Sequence, residues 1–83
     1  MKQRTRVLLA DDDPIWRKLL PHQLAAGEFE ISTVGDGRET LHVLSEEEYE
    51  VVLLDVKLPE VSGLEVVKIV RQSEDAPEVV MLT

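Results

Sequence analysis

Cysteine is absent from the 83 residues, which removes a disulfide framework, a thiolate metal site and a thiol nucleophile at once. Aromatic residues are scarce: one Phe, one Trp and one Tyr. Trp16 and Tyr49 therefore read as packing residues rather than as stacking platforms for bases. No apolar run exceeds four residues, far short of a membrane span. The first six residues are basic, but the apolar stretch after them is too short for a signal-peptide core. Basic residues are few, 9 against 17 acids, for a net charge of −8. Such a balance disfavours binding to nucleic acid, whose affinity comes largely from neutralised phosphates. It suits metal ions and basic partner surfaces instead. There is no glycine-rich phosphate loop, no nucleophilic serine elbow, no repeat and no linker. A cytosolic chain of one small domain, without contact to membrane or nucleic acid, is the expectation.

Three continuous apolar runs stand out: Val7 to Ala10, Val51 to Leu54 and Val79 to Leu82. They do not alternate and are too short for helices, as expected of strands covered on both faces of a parallel sheet. Phe29 to Val34 behaves differently. Phe29, Ile31 and Thr33 alternate with Glu30 and Ser32, the mark of an edge strand with one wetter face.

Between the strands lie segments with helix-start signals. Asp13 before Pro14 is an N-cap with proline at the first helical position. Ile15, Leu19, Leu20 and Leu24 follow at helical spacing as far as Gly27, although Pro21 should kink that helix or end it early. Asp36-Gly37-Arg38-Glu39 and Ser62-Gly63-Leu64-Glu65 both have capping-box spacing. Helices are expected over 14–26, 37–46 and 63–73. The order β-α-β-α-β-α-β implies right-handed crossovers and an α/β fold with a parallel sheet.

Sites in such sheets form at the carboxyl ends of strands. Asp11, Asp12 and Asp13 follow the first strand, Asp55 the third and Thr83 the fourth. If the first and third strands are neighbours, their carboxylates meet in one crevice. Like charges at that range resist joint ionisation unless a cation joins them. Hard oxygen donors without histidine or cysteine favour Mg²⁺, or Mn²⁺, over zinc or copper. Asp13 reads as a cap. Asp11 and Asp12 cannot both cap one helix, so they read as ligands. His22 and His42 lie in helical segments away from the strand ends, and Glu46, Glu47 and Glu48 read as solvated surface.

The stretches VLLADDDP, VVLLDVKLPEVSGLEVV and VVMLT resemble, in order and approximate spacing, the receiver domain of bacterial two-component response regulators. The resemblance covers residues 1–83. It implies a flavodoxin-like doubly wound sheet with strand order 2-1-3-4. It further implies that Asp55 is the phospho-acceptor, taking its phosphoryl group from a histidine kinase or phosphotransfer protein. Asp11, Asp12, Asp55 and the backbone carbonyl of Lys57 would hold Mg²⁺. Pro59 and Gly63 would shape the loop after the third strand, and Thr83 would be the switch hydroxyl. The only catalysis expected is the chain's own acceptance and hydrolysis of an aspartyl phosphate, so it is not read as an enzyme. An output domain or downstream effector would receive the signal.

The family has a further α-β-α portion, including a lysine that pairs with the phosphoryl group, which the 83 residues do not contain. The expectation is a receiver incomplete at its C-terminus, either part of a longer chain or completed by a swapped homodimer. Two other functions compete. A receiver-like interaction module would keep the fold without phosphorylation. A phosphohydrolase resembling the haloacid dehalogenases would need an aspartate two residues after Asp55, where Lys57 stands.

Overall fold

A computed structural model describes residues 4–24 and 28–82. Seven elements alternate along the chain: β1 (Thr5–Ala10), α1 (Pro14–Leu24), β2 (Phe29–Val34), α2 (Gly37–Glu46), β3 (Val51–Asp55), α3 (Gly63–Val70) and β4 (Glu78–Leu82). The strands form one parallel sheet in the order β2-β1-β3-β4. The chain thus winds outward in opposite directions from β1, and right-handed crossovers then place α1 on one face and α2 with α3 on the other. The expected doubly wound architecture and strand order are both present.

Side-chain parity divides the core. Leu8, Ala10, Val34, Val52 and Leu54 point to the α2/α3 face, where they pack with Leu58, Val66 and Val70. Val7 and Leu9 point the other way and are equally buried. Only β1 is covered on both faces along its apolar run. In β3, Val52 and Leu54 are buried while Val51 and Leu53 are half-buried, and Val80 of β4 is 44% exposed. The expectation of two-sided cover for all three strands therefore fails for β3 and β4. The reason is that α1 is the one helix on that face among the described residues, and it packs over β2. Trp16, expected as a packing residue, is half exposed on α1.

The helix ends follow local chemistry. Ile15 N–H donates to the Asp13 carboxylate at 2.9 Å, the cap expected ahead of Pro14. Asp36 and Ser62 accept from the backbone N–H groups of Glu39 and Glu65 at 2.7 and 3.3 Å. Helix α1 runs three residues beyond Pro21. The proline removes one N–H donor, leaving the Arg17 carbonyl without its helical partner, but it does not end the helix. Residues 25–27, the rest of the expected helix and its stop, lie outside the described residues. Helix α3 stops at Val70 rather than 73, because Gln72 and Ser73 donate to Ile69 and Val70 in tighter i to i−3 turns. In β2 the alternation breaks after Ile31: Ser32 is half-buried and Thr33 exposed.

At the amino ends of the strands, Tyr49 is buried as expected, and the Arg6 guanidinium lies 4.5 Å from its ring centroid. Arg6 also donates to Glu47 at 2.6 Å and to the Glu48 carbonyl at 2.8 Å. Glu47 is thus engaged rather than merely solvated. No helix among the described residues is long and apolar enough to cross a membrane.

Candidate functional site

The site lies where β1 and β3 run side by side and the direction of winding reverses, the position at which open α/β sheets bind ligands. Asp11 extends the line of β1 by one residue, its N–H donating to the Val34 carbonyl at 3.1 Å. Asp55 is the last residue of β3, one place earlier relative to the strand end than expected. Asp12 follows Asp11 into solvent. One carboxylate oxygen from each of Asp11, Asp12 and Asp55 can be chosen so that all three lie within 4.8 Å of one another. The neighbouring of the first and third strands, on which that convergence depended, is therefore present.

Backbone donors hold two of the carboxylates. Asp11 Oδ1 accepts from Asp13 N–H at 2.9 Å, and Asp55 Oδ1 accepts from Lys57 N–H at 3.1 Å. Each is a turn closed by a side chain two residues back. Asp11 is only 7% exposed. Burial pushes its carboxyl above the ordinary range; the Asp13 N–H opposes this, and the charges of Asp55, Asp12 and Asp13 add to it. A buried acid facing two others is a costly arrangement for the chain alone. Hard oxygen donors at this spacing fit a divalent cation of the Mg²⁺ type.

The loop after Asp55 is tightly built. Gly63 N–H donates to the Val56 carbonyl at 3.0 Å, and Pro59 carbonyl oxygen accepts from Gly37 and Val61 N–H at 3.0 and 2.8 Å. A side chain on Gly63 would overlap the Asp55 carbonyl oxygen. Pro59 and Gly63 lie around the turn that returns the chain to α3. The Lys57 side chain is exposed. His42 lies on the exposed face of α2, 3.5 Å from Glu46 and away from the carboxylates. Thr83 lies outside the described residues.

Two residues of this loop system were missed. Gly37, in the first turn of α2, is buried against Val61; the signal was a glycine at a helix start where propensity does not ask for one. Glu60 has φ of 69°, a left-handed conformation that a residue with a Cβ adopts at a cost. Nothing local in the sequence marked it. With Val61 N–H returning to the Pro59 carbonyl, Glu60 centres a tight γ-turn, so Glu60→Gly should relieve that strain and raise stability by about 0.5–1 kcal/mol. Urea denaturation would read the gain, and a loss of stability would show the conformation to be unstrained.

An open, doubly wound parallel sheet with a three-carboxylate crevice at its switch point defines the class. The chain belongs to the response regulator receiver domain family, which matches residues 7–83. It is 37% identical over 78 residues to the two-component response regulator ARR11 of Arabidopsis thaliana, covering 92% of this chain and 15% of that one. To the DNA-binding response regulator MtrA of Mycolicibacterium smegmatis it is 36% identical over 80 residues, covering 96% and 35%. The chain thus spans between about a seventh and about a third of these curated relatives. Among solved structures it is similar to response regulator TrrA of Thermotoga maritima in complex with Mg²⁺-BeF, with a TM-score of 0.87, 35% identity, and coverage of 95% of this chain and 69% of that one. TrrA is also solved in complex with histidine kinase ThkA, where the TM-score is 0.86 and coverage is 95% and 68%.

Proposed function

We propose that the chain is a phospho-accepting receiver, with Asp55 as the acceptor. The observation that carries this reading is the convergence of Asp11, Asp12 and Asp55 at the carboxyl ends of adjacent strands. A carboxylate oxygen of Asp55 attacks phosphorus in a phosphohistidine of a partner kinase or phosphotransfer protein. The phosphorus–nitrogen bond breaks, the imidazole leaves with the electron pair, and an aspartyl phosphate remains. Attack by water on that phosphorus later breaks its bond to the Asp55 oxygen, restoring the carboxylate and releasing inorganic phosphate, so the chain turns over no separate substrate.

Asp11, Asp12, Asp55 and the Lys57 carbonyl are the groups that would hold the cation. When bound, Mg²⁺ supplies positive charge that orients and neutralises the phosphoryl oxygens. Mn²⁺ offers similar oxygen chemistry and is expected to substitute. The Lys57 N–H keeps the Asp55 carboxylate oriented through its 3.1 Å bond. TrrA's complexes with Mg²⁺-BeF and with a histidine kinase support a metal-dependent, kinase-partnered reading of this chain. The setting proposed is the cytoplasm, with Thr83 as the switch hydroxyl and an output domain or separate effector as the recipient.

The test is labelling with a small acyl phosphate donor. Wild type should take up label in Mg²⁺ and lose it on chelation, while Asp55→Ala should fall at least a hundredfold. Label that persists in Asp55→Ala would overturn the assignment of Asp55. A wild type that never labels, with donor and kinase both supplied, would point to an interaction module.

A further inference from the structure

We infer that Gly37 is a positioning residue for the Asp55 carboxylate, acting across the β3–α3 loop from the first turn of α2. The inference rests on the proposed site but concerns the chain's own backbone. Residues 56–62 leave the sheet directly after Asp55. Val56 N–H donates to the Leu82 carbonyl of β4 at 3.2 Å, Leu58 is buried in the core, and two further backbone bonds hold the loop to the helices. At the root, Val56 carbonyl oxygen accepts from Gly63 N–H at 3.0 Å. At the tip, Pro59 carbonyl oxygen accepts from Gly37 N–H at 3.0 Å. Between root and tip sits Lys57, whose N–H reaches back 3.1 Å to Asp55 Oδ1.

The tip contact leaves no room for a side chain. A Cβ on residue 37 would overlap the Val61 carbonyl oxygen and stand 2.6 Å from the Val61 carbonyl carbon and 2.8 Å from Val61 Cβ. Backbone atoms cannot rotate away as the end of a side chain can, so a larger residue must push the loop off α2. Glu60, at φ of 69°, turns the chain so that Val61 N–H returns to the same Pro59 oxygen at 2.8 Å. Accepting two donors, that oxygen joins the turn to the helix. Strain of this kind persists only where surrounding contacts over-determine the backbone. The start of α2 is itself fixed, since Asp36 caps it through Glu39 N–H at 2.7 Å and Thr40 donates to the Asp36 carbonyl. The path therefore runs from a capped helix, through the Pro59 carbonyl, to the peptide that orients the acceptor.

Gly37→Ala tests this against a destabilised control at the far end of the core, Val70→Ala, with both compared to wild type where all are folded. In cation-free buffer, the Lys57 amide proton should shift in Gly37→Ala and stay at its wild-type position in Val70→Ala. With Mg²⁺ and acyl phosphate, the initial labelling rate should fall about tenfold or more in Gly37→Ala and stay within twofold in Val70→Ala. An unmoved Lys57 amide in folded Gly37→Ala, or equal labelling of the two variants, would overturn the inference. A shifted amide together with an unlabelled wild type would instead sink the phospho-accepting reading and leave the positioning role standing. Should Gly37→Ala fail to fold, hydrogen exchange of the wild type decides. Gly37 and Gly63 N–H protons should show matching protection, and a Gly37 proton exchanging at the unprotected rate would overturn the role.

Discussion

In a chelating buffer at pH 7, Asp11→Asn is expected to be more stable than wild type and to lose the stabilisation that Mg²⁺ confers. Asp11 is buried beside two other carboxylates, and its carboxyl is held above the ordinary range first by that burial. A carboxyl raised in the native state binds its proton more tightly there than in the unfolded chain. Its contribution to stability is therefore greatest below the ordinary carboxylate value and is lost as pH rises through the raised native value. An amide in its place has no charge to bury, and its oxygen can still accept from Asp13 N–H. The gap between variant and wild type should thus open over that acidic window and stay constant above it. Cation binding reverses the ranking. At a Mg²⁺ concentration a hundredfold above Kd, the wild type should gain about 2.7 kcal/mol, on the order of 10–20 °C in Tm for a domain this small. Thermal melts with and without Mg²⁺ across pH 3 to 8 measure both effects. A variant that melts below wild type in chelator would contradict the burial argument, and one that keeps the full Mg²⁺ gain would remove Asp11 from the site.

Leu54→Ala carries the second large effect, a loss of about 2–5 kcal/mol as a buried leucine is cut to a methyl group. Leu54 is fully buried on the α2/α3 face of β3, within the cluster formed by Leu8, Val52 and Val66. For a chain of this length the whole stability is of order 4–12 kcal/mol, so the variant should lose a large share of it, and Tm should fall by at least about 10 °C. Leu54 also precedes Asp55, so weaker Mg²⁺ binding should accompany the loss even where the variant is folded. Urea titration gives the stability and a Mg²⁺ titration the affinity. A change below 1 kcal/mol would mean that the site collapses around the missing methyls or that β3 is less central than its burial shows.

Local chemistry was written plainly in the chain. The caps at Asp13, Asp36 and Ser62 were legible because a short polar side chain next to an N-terminal turn has few better partners than the free N–H groups there. The apolar runs were legible as strands for the same kind of reason, since four contiguous apolar side chains, valine-rich and without alternation, are too few for a helix and suit a pleated surface. Cover was less legible. Leu53 and Val80 look like buried strand residues in isolation, yet they remain partly or largely exposed. Helix extent also escaped local reading: α3 ends at Val70 because the chain tightens there, not because of a residue that forbids helix. The candidate site divides in the same way. Its aspartates announce themselves as acids at strand ends; Gly37 left only the faint signal of a glycine at a helix start, and Glu60, which matters through backbone position, left none.

Taken by itself, the sequence determined the alternation of strands and helices, the caps and the identity of the acidic residues. Each of these depends on side chains and a backbone within a few positions of one another. That β1 and β3 are neighbours was implied only by the family resemblance and not by local pattern. The tertiary structure shows it, and it alone decided that Asp11, Asp12 and Asp55 come within 4.8 Å and that α2 grips the loop after Asp55 through Gly37. Those are contacts between segments tens of residues apart. Their geometry is set by the crossover path and by which face each helix covers, and no local pattern contains either.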